Sequence, residues 1–278
     1  MNESPKREPF ELNTAEDGTA LLRIREWEEL FPWLSAGFST RLGGVSAEPW
    51  SSLNCGLHVG DLDRDVAENR RRVAMAAGFA FDRWTCAEQV HGRDVAVVKA
   101  GDAGAGRLSR ADAIQAKDAL VTDEPGVMLN AFYADCVPIW LVDPARRAVG
   151  IAHAGWRGAV ADVAGEAVRT MTRAYGTEPS DVLAVIGPSI RGCCYEVDEA
   201  VARHIPEESE AIEPSAVPER YMLDLAKFNR QMLTKAGVLT NHIEISVYCT
   251  SCRTDLFFSH RKEQGRTGRM TAWIARKE

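Results

Sequence analysis

No stretch of this chain reaches the ~18 consecutive apolar residues that a membrane span requires. Asn130, Asp135 and Asp143 interrupt its most hydrophobic region, so no membrane partner is expected. The first twenty residues lack an apolar core, which argues against a secretory signal or an anchor and predicts a floppy tail over 1–20 ahead of a body over 21–278. Excess positive charge is missing as well. With 33 Lys and Arg against 40 Asp and Glu, the net charge of -7 makes nucleic acid an unexpected partner. Neither a Walker A motif nor G-x-G-x-x-G is present, and the Gly-rich run at 101–106 has no helix after it. Histidine is scarce: six residues with no His-X-His pair, a poor basis for a site holding several copper ions. The seven cysteines are an odd number, which favours reduced thiols over a disulfide framework and points to the cytoplasm.

What is present is an ordinary globular composition, 45% hydrophobic and 26% charged over 278 residues, enough for one substantial core and a single domain. Apolar spacing of three and four predicts helices over 62–77, 159–175 and 223–236. Short β-branched runs predict strands at 94–98, 127–133, 139–142, 148–152, 182–186 and 243–247. The alternation of strand and helix gives an α/β class, and adjacent strands without intervening helices add antiparallel pairing to the sheet. The stretches 101–106 and 206–218 read as surface loops.

Three residues stand where chemistry is expected. Cys136 and His153 lie at predicted strand ends, and His91 precedes a glycine beside another strand. Two imidazoles and a thiolate suit zinc, leaving a fourth position for water or substrate. The same set with a weak axial Met would suit copper, a less favoured reading, because the nearest candidate, Met128, sits in a core-like run. Gly155 and Gly158 permit close backbone approach at a helix start, where an anion is favoured. A local excess of Arg and Lys after residue 260 reads first as a solvated basic edge, with a small anionic ligand as the alternative. Trp140 and Trp156 are read as core rather than as stacking platforms.

Other motifs are set aside. His242-Ile243-Glu244 followed by Cys249-Thr250-Ser251-Cys252 imitates a cytidine-deaminase signature, but the two parts are too close together for the structure that must lie between them. A redox role for Cys249 and Cys252 lacks the expected strand before and helix after. Vicinal Cys193 and Cys194 carry no spacing signal.

The stretches Gly37-Phe38-Ser39-Thr40-Arg41, Gly43-Gly44, Ser52-Leu53-Asn54, Gln89-Val90-His91-Gly92, Ala134-Asp135-Cys136-Val137-Pro138, His153-Ala154-Gly155-Trp156-Arg157-Gly158, Ile186-Gly187-Pro188 and Ser259-His260-Arg261 follow one another in a fixed order. From about residue 20 to the C-terminus the chain thereby resembles the laccase-domain family, also called polyphenol-oxidase-like or peptidoglycan editing factor. The resemblance implies a single-domain, layered α/β/β/α sandwich with mixed sheets and a zinc site at His91, Cys136 and His153. Similar proteins are described as purine nucleoside phosphorylases that also deaminate adenosine and cleave methylthioadenosine. Others are called multicopper polyphenol oxidases or are linked to peptidoglycan editing.

On this reading the partners are a purine nucleoside and phosphate, and the protein is a monomer or weak homodimer. Arg41, Arg157, His260 and Arg261 are candidates for holding phosphate or ribose, with Asn54 adding hydrogen bonds. Asp135 is a candidate proton carrier or an orienter of the ligands. Two rivals remain open: a metal-free hydrolase or amidase with Cys136 as nucleophile and His153 as base, and a binding protein without turnover.

Overall fold

The computed structural model describes residues 8–277. The chain opens with β1 (Glu11–Thr14), β2 (Ala20–Arg23), α1 (Arg25–Leu30), β3 (Leu34–Ser39), α2 (Asp63–Ala77), β4 (Trp84–Cys86), β5 (Val95–Val97) and β6 (Ala119–Thr122). It continues through β7 (Met128–Tyr133), β8 (Val137–Asp143), β9 (Ala148–Ala154), α3 (Trp156–Val160), α4 (Val163–Tyr175) and β10 (Leu183–Ile186). The last part holds β11 (Glu196–Asp198), α5 (Glu199–Ala202), β12 (Ile212–Pro214), β13 (Arg220–Leu223), α6 (Leu225–Lys235), β14 (Ile243–Ile245) and β15 (Met270–Arg276).

Two six-stranded mixed sheets, β1-β2-β3-β15-β7-β4 and β14-β10-β8-β9-β6-β5, lie face to face, and β11-β13-β12 forms a small third sheet. The period-2 alternation of the strands assigns each side chain to a layer. On β8, Val137, Ile139 and Leu141 point into a core shared with α4 and α6, while Trp140 and Val142 point between the sheets toward Phe38, Leu129 and Ile274. On the outer face of the first sheet Met128, Phe132 and Trp273 meet Val73 and Ala74 of α2. The result is the α/β/β/α sandwich that the resemblance implies. No helix among the described residues is long and apolar enough to cross a membrane.

All six expected strands occur as β5, β7, β8, β9, β10 and β14. The helix expected over 159–175 is two helices. Asp162 adopts a left-handed conformation (φ 66°) and its carboxylate accepts the Gly165 N–H, capping a fresh helix and breaking the apolar stripe into α3 and α4. The tail expected over 1–20 is ordered from residue 8, whereas residues 1–7 lie outside the described residues. Phe10 is buried against the Trp140 ring at 5.3 Å, and β1 pairs with β2. The two expected loops are also more than surface. Gly106 is buried and its carbonyl accepts a hydrogen bond from Arg70, and 206–218 contains β12.

Candidate metal centre and its cavity

The site forms where the chain passes from one sheet to the other. Ala134, Asp135 and Cys136 bridge β7 of the first sheet to β8 of the second, and the loop carrying His91 makes the parallel crossing from β4 to β5. His153, near the end of β9, faces this crossing. Its ring lies 4.8 Å from that of His91, centroid to centroid, nearly edge-on at 82°. Cys136 Sγ and His91 Nε2 are 4.0 Å apart, and one ligand atom from each of His91, Cys136 and His153 lies within 4.8 Å of the others.

Asp118, just before β6 and 2% exposed, organises the trio. Its carboxylate accepts backbone N–H groups from Val90 (3.1 Å), His91 (3.0 Å) and Gly92 (2.7 Å), fixing the His91 loop, in which His91 itself holds φ 60°. The same carboxylate meets His153 Nδ1 at 2.8 Å. An ionised carboxylate only accepts, so Nδ1 carries a proton and Nε2 is the nitrogen available to a metal, which would take the place of any proton there. Burial acts to raise the Asp118 carboxyl, but the His153 hydrogen bond and the loop N–H groups outweigh it and lower its pKa. No sequence signal marks Asp118: one acid before a short strand reads as a turn residue.

The thiol and imidazole reinforce one another. Burial would push the Cys136 thiol up, yet His153 and His91 beside it hold it well below the usual thiol range. Burial would likewise lower His153, yet the Cys136 sulfur and Asp118 raise it. The donor set fits a metal: a thiolate, two imidazole nitrogens and an outer carboxylate on one of them, with ligand atoms within 4.8 Å of one another, somewhat wider than the ~3.5 Å that Zn–S and Zn–N bonds of about 2.3 and 2.0 Å would give in a tetrahedron. Gly155 lies against this set. A Cβ there would stand 2.9 Å from His91 Cδ2 and 3.1 Å from Cys136 Sγ, so the missing side chain makes room for both ligands.

The trio opens into a cavity of about 370 Å³, lined also by His58, Arg70, Arg110, Phe132, His260 and Arg269. Burial and then the charge of Arg269 lower the His58 pKa to about 4, and the same two causes lower that of His260. Both rings are therefore neutral at pH 7 in a positive field. Arg70 is buried, donates to the Cys55, Gly106 and Arg107 carbonyls and lies 4.5 Å from the centroid of the Phe132 ring. Sequence reasoning missed His58, Arg70, Arg110 and Arg269, which lie far apart along the chain.

Of the other predicted residues, His260 alone lines this cavity. Arg41 is bound to the Ser51 and Thr254 carbonyls and to Glu263, 3.0 Å away. Asn54 is buried and ties Asp61 to the Arg269 backbone N–H, holding the cavity wall in place. Arg157 is exposed and lies over Trp156 at 4.4 Å. Arg261 donates a side-chain N–H to the Glu196 carbonyl and covers the Tyr195 ring at 5.0 Å. Asp135 holds φ 83°, and its oxygens accept from Thr250 Oγ1 (2.6 Å), Ser259 Oγ (3.1 Å) and the Arg261 backbone N–H (2.7 Å). It anchors two segments, one at Thr250 and one at 259–261, beside Cys136. Met128 and Trp140 are fully buried, as core residues should be.

A two-sheet sandwich with a His2Cys ligand set at the crossing between its sheets defines a single-domain α/β protein with a candidate metal centre. The chain belongs to the family described as "Multi-copper polyphenol oxidoreductase laccase", which matches residues 35–277. A relative from Geobacillus stearothermophilus named purine nucleoside phosphorylase YlmD is 47% identical over 247 residues, 87% of this chain and 90% of that one. One of the same name from Bacillus subtilis is 40% identical, covering 97% of this chain and 98% of the relative. The crystal structure of the Geobacillus YlmD superposes with a TM-score of 0.92 at 43% identity, covering 98% of this chain and 100% of the other.

Proposed function

We propose that this protein is a cytoplasmic purine nucleoside phosphorylase with zinc at His91, Cys136 and His153, acting on adenosine, inosine or methylthioadenosine. One observation carries the reading: a ligand set ordered by Asp118 opens into a cavity whose guanidinium groups surround neutral histidines, in a chain similar to relatives named for this activity. In the reaction a phosphate oxygen forms a bond to C1′ of the ribose while the bond from C1′ to the purine nitrogen breaks. The electron pair leaves on the base, which takes up a proton, and the sugar leaves as its 1-phosphate.

Arg269 binds and orients the phosphate, with the His58 and His260 rings donating N–H groups to it. Zinc held by His91, Cys136 and His153 would supply Lewis acidity there. Asp118 keeps His153 in the ligating tautomer. Adenosine deamination is a side activity at the same site: a water oxygen bonds to the amino-bearing carbon and ammonia departs. Asp135, whose oxygens are engaged by three donors, serves there as a positioning residue for Cys136, and the protein acts as a monomer or weak homodimer.

A metal-free amidase reading has its own support in the depressed Cys136 thiol beside His153, and it would suit an editing role on peptidoglycan precursors. It leaves His91 only the task of helping to lower the Cys136 thiol, although Asp118 orders that loop with three N–H bonds. Polyphenol oxidation by several copper ions fits less well. Among the described residues the groups of three or more side chains close enough to share a metal are this trio and a set of four cysteines, and neither holds more than two histidines. Incubating each nucleoside with and without phosphate, and following ribose 1-phosphate by phosphorus NMR, tests the proposal. Phosphate-dependent product that is lost on chelation supports it. Activity that survives chelation and disappears on thiol alkylation replaces it with the amidase reading.

A further inference from the structure

The remaining cysteines divide sharply. Cys55 and Cys86 are buried in the core, whereas Cys193, Cys194, Cys249 and Cys252 come together at the surface of the molecule. The topology explains the meeting. β10 and β14 are parallel neighbours, with Ala184 opposite Ile243 and Ile186 opposite Ile245, so the segments that follow them leave the same sheet end side by side. The Ser246 N–H donates to the Ile186 carbonyl, the Thr250 N–H donates to the Ser189 carbonyl at 3.1 Å, and Ser189 bridges to Cys249. Pairs that are 55 or more residues apart in sequence thereby face each other, which is why neither Cys193-Cys194 nor Cys249-x-x-Cys252 carries a signal on its own.

The sulfur separations suit one shared metal. Cys194 and Cys252 Sγ are 3.4 Å apart, Cys193 and Cys252 3.7 Å, and Cys193 and Cys194 3.8 Å, and all four lie within 4.8 Å of one another. Four thiolates on one zinc at about 2.3 Å give sulfur separations of about 3.8 Å, whereas a disulfide needs about 2.05 Å. The Cys249-x-x-Cys252 segment is a tight turn in which the N–H groups of Cys252 and Arg253 both donate to the Cys249 carbonyl. Backbone N–H groups of Arg191, Cys252 and Ser251 are turned toward the Cys249 sulfur. Backbone N–H groups aimed at a ligating sulfur are the outer support that a metal thiolate needs.

We propose that Cys193, Cys194, Cys249 and Cys252 form a second, structural metal site, a tetrathiolate that takes zinc. Each sulfur exchanges its proton for a bond to the metal, the protons go to solvent, and nothing is oxidised or reduced. With all four positions filled by protein the site is closed and does not catalyse. Its consequence is positional. Thr250, inside the Cys249-Cys252 turn, donates to Asp135 Oδ1 at 2.6 Å, so clamping this turn holds the strand entry that carries Cys136. The site stands whether or not the trio performs phosphorolysis.

The test uses the full chain purified anaerobically under reducing conditions, with zinc and cobalt(II) as probes. Metal analysis of the parent is expected to give two zinc ions per chain, falling to one in a Cys249→Ser/Cys252→Ser variant. A His91→Ala/His153→Ala variant is expected to keep one zinc, and its cobalt(II) form to show the visible bands and sulfur-to-metal charge transfer of a tetrathiolate. The parent also serves without substitution, since zinc is expected to protect Cys193 and Cys252, the exposed pair, from a thiol reagent. Loss of all zinc from the His91→Ala/His153→Ala variant while it remains folded would overturn the proposal. So would equal thiol reactivity with and without zinc, or a disulfide among these four residues in the reduced preparation.

Discussion

Replacing Asp118 by Asn removes one charge and one acceptor from a carboxylate that serves four donors. The Val90 and Gly92 N–H groups use Oδ2, while the His91 N–H and His153 Nδ1 use Oδ1. If the amide keeps its oxygen at Oδ1, Val90 and Gly92 confront an NH2 group. If it turns over, the His91 N–H is stranded and His153 Nδ1 must become an acceptor, which moves the ring proton onto the ligating Nε2. Two hydrogen bonds to a charged group, each worth about 1.5–3 kcal/mol, are lost either way. The metal-free variant should therefore be about 3 kcal/mol less stable, or roughly 5–10 °C lower in melting temperature for a chain of this size. Zinc affinity should fall about 10–100-fold, as for other outer partners of a ligating histidine.

The pH dependence has a defined sign. Because the folded-state pKa of Asp118 lies below its ordinary value of 3.8, its contribution is present above that pH and is lost as the pH falls through the folded value. Metal-free parent should lose more stability on acidification than the Asn variant. Zinc competition against a chromophoric chelator, with urea unfolding at several pH values, measures all three quantities. A variant with parent-like zinc affinity and an unchanged melting temperature would refute the reasoning.

Gly155→Ala should leave the fold intact, because its φ of -69° suits alanine, yet it drives a methyl into His91 and Cys136. Zinc binding should weaken about tenfold or more, read by the same competition, and unchanged binding would show that the ligands have slack. Arg269→Gln should raise the KM for phosphate about 10–100-fold, the worth of a hydrogen bond between charged partners. Arg41→Gln should instead lower stability and leave that KM near the parent value, since Arg41 is spent on Glu263 and two carbonyls. His58, with its pKa lowered to about 4, should remain neutral at pH 6 by NMR and shift upward when phosphate binds. The folded state disfavours the charged ring, so this residue's contribution to stability is present above 6.5 and is lost as the pH falls toward 4. Titration near 6.5 both with and without phosphate would remove it from the anion site.

The meeting of His91, Cys136 and His153 was legible in the sequence because each sits beside a local marker, a glycine or a strand end, and because ordered motifs surround all three. The strands of the second sheet were legible through their β-branched runs. Asp118 and the cavity cations were not, since Arg70, Arg110 and Arg269 come from a helix, a loop and the approach to β15 and converge only through tertiary contacts. Arg41, Asn54 and Arg261 illustrate the converse: they lie in the family motifs, yet their side chains are taken up by carbonyls, by carboxylates or by the cavity wall. The four-cysteine cluster lay in plain view as two separate pairs, and only the parallel register of β10 and β14 joins them.

Anomalous diffraction at the zinc edge from crystals of the zinc-loaded protein shows whether His91, Cys136 and His153 together hold one zinc ion. The expected result is a peak bonded to His91 Nε2, Cys136 Sγ and His153 Nε2 that disappears in Cys136→Ala while Asp118 keeps its hold on the His91 loop. Full zinc loading with no peak at this trio would contradict it.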